Sequence, residues 1–362
     1  MDGRPRRAAP DRQPVPLNGG RPAPHGWIIL DKPVGLGSTQ AVGAVKRVLR
    51  EAGYGKVKVG HGGTLDPLAG GVLPIALGEA TKLCGRMLDA RKEYAFTIAF
   101  GAETDTLDLE GRVVAESAVR PSFAEIEAVL PGFTGAIEQV PPAYSALKVG
   151  GERAYDLARE GVEMTLAARK VQVFALAILP TSAGEGDHAQ RGGGVAFDRG
   201  EALAGRGRPL HQPATGPPPR QAGEDSVTLN ATVSKGTYIR SLARDIALAL
   251  GTRGHVTHLR RIRAGPFGLA HAISLDRLNE IGKGAPLENV ILPLEAGLDD
   301  IPALDLGPEQ ARAVRQGRVL AGLPRSDGLY CAWQGGIPVA LVELLSGEAR
   351  VVRGFNLFDV AE

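Results

Sequence analysis

The sequence predicts an α+β fold, and three observations predict it. Segments rich in β-formers stand at residues 26–30, 94–100, 171–179 and 227–234. Helical patterns at about 38–51, 122–130 and 241–250 are interspersed among them. Past about residue 295 the pattern restarts with short strands, which predicts a small C-terminal β domain.

The elements follow in chain order. Residues 1–24 are polar, with six Pro, five Arg and no apolar run. They read as a disordered basic tail and not as a signal peptide. Gly26 to Leu30 is an apolar strand, broken at Asp31-Lys32-Pro33, with Gly35 and Gly37 as turn residues. Ser38 or Thr39 caps a helix to about Glu51, with Val42, Val45 and Val48 on one face. Tyr94 to Phe100 is a strand, and Glu110-Gly111 turns the chain into Val113-Val114. Residues 122–130 carry a capping box, Ser122 with Glu125. Val171 to Leu179 and the alternating Val227 to Ser234 are strands. Between them, Thr181 to Asp225 holds ten Gly and five Pro and reads as a disordered insertion. Loop closure entropy grows slowly with length, so neighbouring strands tolerate it. Ser241 to Leu250 is an amphipathic helix stopped by Gly251 at C′. Leu329–Trp333 and Pro338–Leu345 are strands of the C-terminal domain. The expected organisation is a tail (1–24), a catalytic domain (25–295, insertion 181–225) and a C-terminal domain (296–362).

Composition narrows the function classes. The chain has 362 residues, 43% hydrophobic and 23% charged, which suits a globular protein of two or three domains. Only Cys84 and Cys331 are present, which excludes a disulfide framework and a Cys-based zinc site. A reducing cytoplasm is the expected location. No apolar run of about 18 residues exists, so no membrane span is expected. The net charge of +2 predicts no partner by itself. Residues 235–263, however, carry seven Lys/Arg (Lys235, Arg240, Arg244, Arg253, Arg260, Arg261, Arg263) against Asp245 alone. This is either a footprint for a polyanion or a solvated helix face.

Two segments concentrate possible chemistry. The first is Gly60-His61-Gly62-Gly63-Thr64-Leu65-Asp66-Pro67-Leu68-Ala69-Gly70-Gly71, followed by an apolar run. Glycines permit close backbone approach to a ligand, and Pro67 keeps Asp66 out of the helical region. Asp66 is placed there as a nucleophile or base, or it forms an Asx-turn with its own backbone. The second is Ser234 to Leu242. Tyr238 and Arg240 point the same way if this stretch is extended, offering an aromatic face and a guanidinium. The alternative is a core Tyr and a surface Arg. No GxxxxGK[ST] or GxGxxG pattern occurs, which excludes those phosphate loops. His255 and His258 fit zinc spacing poorly and have no Cys pair. A glycosidase needs a second carboxylate, and Asp66 has no obvious partner in the sequence.

Four ordered stretches carry a family resemblance. They are WIILDKPVGLGST near the start, HGGTLDPLAGGVLPIALGEATK from residue 61, PPAYSALKVGGERAYDLAREG at 141–161, and SKGTYIRSLARDIALALGTRGHVTHLRR at 234–261. Together the chain resembles the TruB-type tRNA pseudouridine synthases over about residues 25–280, apart from the insertion. The resemblance implies a mixed, largely antiparallel sheet with flanking helices, and a C-terminal β domain of the RNA-binding PUA-like type. It implies isomerisation of the uridine at position 55 in the tRNA T-loop, with base flipping and without cofactor or metal. The expected partner is the T stem-loop, and a monomer is expected.

The same resemblance implies residue roles. Asp66 is the catalytic carboxylate, Arg240 pairs with it, and Tyr94 packs on the target uracil. Tyr238 and Leu259 line the uracil pocket, and His61 fills the flipped-out region. Residues 144–165 match a loop that closes over RNA, with Lys148 and Arg153 offering phosphate contacts. Lys235, Arg244, Arg260 and Arg261 offer more from the basic segment. Two alternatives remain open: a non-catalytic RNA-binding or tRNA-folding factor, and an RNA-guided relative acting on ribosomal RNA.

Overall fold

The computed structural model describes residues 23–179 and 223–357, apart from 146, 150, 161 and 163–165. The tail expected to be disordered therefore lies almost wholly outside the described residues, and so does 181–222 of the insertion. Among the described residues no helix is long and apolar enough to cross a membrane.

The chain runs β1 (Gly26–Lys32), α1 (Ser38–Glu51), β2 (Val59–His61), β3 (Ala69–Leu77), α2 (Cys84–Asp89), β4 (Lys92–Phe100), β5 (Ala102–Thr104), β6 (Val113–Glu116) and α3 (Phe123–Val129). Then come β7 (Gly135–Gln139), β8 (Lys148–Val149), β9 (Glu152–Arg153), α4 (Ala154–Arg159), β10 (Arg169–Ile178), β11 (Ser226–Val233), α5 (Ile239–Ala249), β12 (Gly254–Ala264), β13 (Phe267–Gly268), β14 (Ile273–Ser274) and α6 (Leu275–Gly282). The C-terminal part holds β15 (Ala303–Asp305), α7 (Pro308–Arg315), β16 (Gly328–Gln334), β17 (Ile337–Leu345) and β18 (Glu348–Gly354).

A ten-stranded sheet forms the body, in the order β14-β1-β3-β12-β4-β11-β10-β7, with β2 on β3 and β13 on β12. Only β1–β14 and β3–β12 pair in parallel, so the sheet is mixed and largely antiparallel. Residue patterns explain which faces are covered. Every residue of β3 is buried, because α1 and α6 cover one face and the C-terminal part covers the other. Strands β4 and β11 alternate buried and half-buried residues, so one face packs on α5 and the other meets water.

Helix ends carry the expected chemistry with small shifts. The Ser122–Glu125 capping box forms, with the Glu125 carboxylate accepting from the Ser122 N–H at 2.7 Å. Helix α1 is capped at Gly37, one residue before the expected Ser38. Helix α5 begins at Ile239, two residues early, and Gly251 follows it in the left-handed region at φ 71°. The insertion is shorter than its composition suggests. Residues 224 and 225 belong to the fold: the Glu224 N–H donates to Pro121 O at 2.8 Å, and the Phe100 N–H donates to Asp225 O at 2.9 Å.

The C-terminal strands form a separate four-stranded sheet, β15-β16-β17-β18, packed on α7. It docks through a shared apolar cluster that includes Trp27, Phe267, Cys331, Leu341 and Phe355. Both cysteines are free thiols.

Candidate active site

The loop between β2 and β3 is fixed from several sides. Ser38 Oγ accepts from the Leu65 N–H at 2.8 Å and donates to Leu65 O at 2.9 Å. Lys32, fully buried, donates to Pro33 O, Leu36 O and Pro67 O at 2.9, 2.6 and 3.2 Å. Arg261 donates to Gly63 O and Thr64 O at 3.2 and 3.3 Å, and to Val72 O at 2.7 Å. Gly62 must be glycine, since a Cβ there would lie 2.6 Å from Met87 Cβ. Two of these anchors are buried cations, and their hydrogen-bond partners are backbone carbonyls.

Asp66 emerges from this loop. Its carbonyl closes a turn, accepting from the Ala69 N–H at 3.0 Å. Its carboxylate points away from its own backbone, with Oδ2 2.8 Å from Arg240 Nη2, and the side chain is 41% exposed. The Asx-turn reading is thereby set aside. Arg240 sits in the first turn of α5 and is 5% exposed. Its Nη1 donates to Thr106 O at 2.8 Å, its Nη2 donates to Tyr144 O at 3.0 Å, and Asp108 Oδ2 lies 3.3 Å from Nη1. Asp108 is held in turn by the Thr106 hydroxyl at 2.5 Å and the Glu110 N–H at 3.0 Å. Leu107, beside it, adopts φ 61°, a strained value for a non-glycine residue. Arg240 thus bridges two carboxylates, one buried and one open to a cavity.

That cavity has a volume of about 290 Å³ and is lined by Asp66, Lys92, Tyr94, Tyr238, Leu259 and Arg261, among others. Tyr238 is the extended N-cap residue of α5, with Arg240 two residues on inside the helix. They meet the same cavity although the segment is not a continuous strand. His61 lies at the end of β2 and is not among the lining residues. Its Nδ1 is buried with no hydrogen-bond partner among the described residues. Burial, then the Arg261 charge, lowers its pKa.

Sequence reasoning missed Asp108, Lys32 and Lys92. Asp108 sits in a Thr/Asp-rich turn whose spacing resembles any other turn. The lysines gave no signal because Lys is ordinarily a surface residue. Burial pushes both down to about 8, opposed at Lys32 by the Asp66 carboxylate and reinforced at Lys92 by Arg261.

The reading of 235–263 as a basic stripe needs correction. The segment divides into a loop, a helix and a strand, and its cations point to different places. Lys235 pairs with Asp89, Arg244 with Asp245, Arg253 with Glu103 and Arg260 with Asp31. Arg263 lies 3.8 Å from Glu93. Arg261 is 1% exposed, with all three guanidinium nitrogens on carbonyls, so it is an interior strut and not a phosphate contact. Arg261→Met is therefore expected to lower the melting temperature, since each stranded buried acceptor costs about 1–3 kcal/mol. The salt dependence of RNA binding should stay unchanged. A shallower slope would return Arg261 to the RNA surface. Lys148 and Arg153 pair through their backbones in the β8–β9 hairpin, and their side chains lie outside the description.

Comparisons with known proteins bear on this site. The model of the TruB family pseudouridylate synthase N-terminal domain matches residues 46–189. The tRNA pseudouridylate synthase B C-terminal domain matches residues 240–299. The tRNA pseudouridine synthase B of Novosphingobium aromaticivorans is 62% identical over 337 residues, covering 93% of this chain and 99% of its own. Its counterpart from Zymomonas mobilis is 51% identical over 332 residues, covering 92% and 96%. A chain in the structure of an H/ACA ribonucleoprotein bound to a substrate RNA containing 2′-deoxyuridine shares the fold. It aligns with a TM-score of 0.61 at 24% identity, covering 92% of this chain and 86% of that one.

Proposed function

The chain belongs to the TruB family of pseudouridine synthases and isomerises uridine to pseudouridine in tRNA; from that premise we propose that its target is the uridine at position 55 of the T-loop, flipped from the stack and attacked by Asp66. One observation carries the reading. A carboxylate held by a buried Arg at 2.8 Å opens onto a cavity of nucleobase size that also contains Tyr94.

The chemistry moves C1′ of the ribose from N1 to C5 of the uracil. The N1–C1′ bond breaks with its electron pair remaining on the base, and an Asp66 oxygen bonds to C1′. The base turns within the cavity. C5 then bonds to C1′ while the carboxylate departs with its own pair. C5 loses its proton and N1 gains one, so product and substrate are isomers. Arg240 holds the carboxylate at the wall through its guanidinium, 2.8 Å away.

Tyr94 packs on the flipped uracil, while Tyr238 and Leu259 complete its pocket. Flipping costs a few kcal/mol, and stacking on an aromatic returns about 1–3 kcal/mol. His61, outside the cavity lining, takes the space that the base leaves in the loop. Lys235, with a side chain 65% exposed, exchanges Asp89 for a phosphate, as do Arg244 and Arg260 from their own acids. Lys148 and Arg153 add contacts from their hairpin. The sheet of β15–β18 serves as a PUA-like RNA-binding domain, and the enzyme works as a cytoplasmic monomer.

The test is pseudouridine mapping of a T stem-loop RNA after incubation with the protein. A single new pseudouridine at position 55 is expected. Tight binding without product would favour a tRNA-folding factor, and product elsewhere would refute the target.

A further inference from the structure

We infer that Lys92 and Arg261 together hold the positive potential against which negative charge develops on the uracil ring. The inference rests on the reading of the cavity given above and adds a role for its inner wall.

The geometry begins with register. Lys92 and Tyr94 lie two apart on β4 and both line the cavity. Arg261 lies opposite Tyr94 on the neighbouring strand β12, next to a register shift between Arg261 and Arg263. The two cations therefore share the cavity wall with the Tyr94 ring. Both are deeply buried, at 7% and 1% exposure, beyond easy reach of a hydrated phosphate.

Among the described residues no carboxylate lies within ion-pair distance of either cation, and Asp89, paired with Lys235, acts on Lys92 only from farther away. Lys92 Nζ is held by the carbonyls of Met87 at 2.9 Å and Ala90 at 2.7 Å, and also by that of Leu88. Arg261 is held by those of Gly63, Thr64 and Val72. Carbonyl dipoles solvate a charge without cancelling it. Asp66, the acid of this wall, shares Arg240 with Asp108. Lys92, Arg261 and Arg240 thus outweigh these two carboxylates by one positive charge, and the field acts more strongly once a base displaces water from the cavity.

The occupant of the cavity is a neutral base that becomes anionic during the reaction. When N1–C1′ breaks, the electron pair spreads over N1, O2 and O4. It is withdrawn again as C5 closes on C1′. A fixed field at the ring stabilises that intermediate more than the neutral substrate, so it raises the rate and leaves affinity unchanged.

Charge on Lys92 is the titratable half of this device. The groups around it are Arg261 on β12, Asp89 at the end of α2 and Lys235 before α5. With its pKa pushed down to about 8, the rate should fall as pH rises past that value. Lys32 titrates near the same pH, so a variant must separate the two.

The experiment measures single-turnover pseudouridine formation in a tRNA transcript from pH 6.5 to 9.5, with tRNA affinity in parallel. It uses wild type, Lys92→Met and Lys92→Arg, with Asp66→Asn as reference. Below pH 8, Lys92→Met should be about 10- to 100-fold slower with unchanged affinity. Wild type should fall towards it above pH 8, while Lys92→Arg, which does not titrate there, should hold its rate. Parallel falling limbs for wild type and Lys92→Arg would overturn the inference. So would an undiminished Lys92→Met rate, or a loss confined to affinity and its salt dependence, which marks a phosphate contact. If Lys92→Met fails to fold, the comparison of wild type with Lys92→Arg still decides. Activity in Asp66→Asn would instead sink the reading of the cavity itself.

Discussion

Asp66→Asn should lower the rate of pseudouridine formation by at least about 10⁴-fold, in the range seen when a covalent nucleophile is removed. The amide matches the carboxylate in shape, so the loop and cavity should keep their form. It cannot form the ester to C1′ at a useful rate, because a neutral amide oxygen is a poor nucleophile. Stability should change little. Asp66 is 41% exposed, and Arg240 keeps Asp108 and two carbonyls. For such a half-exposed pair the loss is about 1 kcal/mol or less. Affinity for tRNA should hold or rise slightly, since one negative charge facing RNA is gone. Single-turnover kinetics with filter binding on the same preparations checks both halves. A rate within tenfold of wild type would remove Asp66 from the covalent step.

The elements most legible in the sequence were those whose pattern is set locally. Strands β4 and β11 show period-two alternation, and α3 announces itself by its capping box. Helix α5 has an apolar stripe and a C′ glycine. Strand β12 was hidden because its sequence, GHVTHLRRIRA, reads as a basic surface. It is a central strand because its arginines find partners supplied by distant segments. Arg260 finds Asp31, 229 residues away, and Arg261 finds carbonyls of the catalytic loop. Those carbonyls belong to irregular backbone, whose direction no residue pattern encodes. The site was legible in the same uneven way. Asp66 and Arg240 stand in short glycine-punctuated motifs, whereas Asp108 acts through a strained turn around Leu107, and its nearby Gly111 reads only as the turn into the next strand. The buried cations were illegible for one reason: charge in a sequence is read as surface, and only the fold reveals how it is solvated.

Arg240 is the residue whose loss should do the most combined damage. Its guanidinium joins four points from three segments remote from it in sequence: Asp66, the turn with Thr106 and Asp108, and Tyr144. A planar fork with five N–H donors can span them, and a Lys ammonium cannot. Arg240→Lys should therefore keep the charge, lose the bridge, and slow the reaction by about 10²-fold or more, as misplacement of a reacting group does. Arg240→Ala should also destabilise the fold by about 3 kcal/mol, the low end for breaking a buried pair, because only Asp108 is deeply buried. A second substitution separates these effects. In Arg240→Ala with Asp108→Asn, the orphaned charge is gone, so most of the lost stability should return in thermal or urea melts. Activity should not return, because Asp66 still lacks its holder. If activity recovered with stability, Arg240 would be a structural strut alone, and the placement of the Asp66 carboxylate would have to come from the loop anchors Ser38, Lys32 and Arg261.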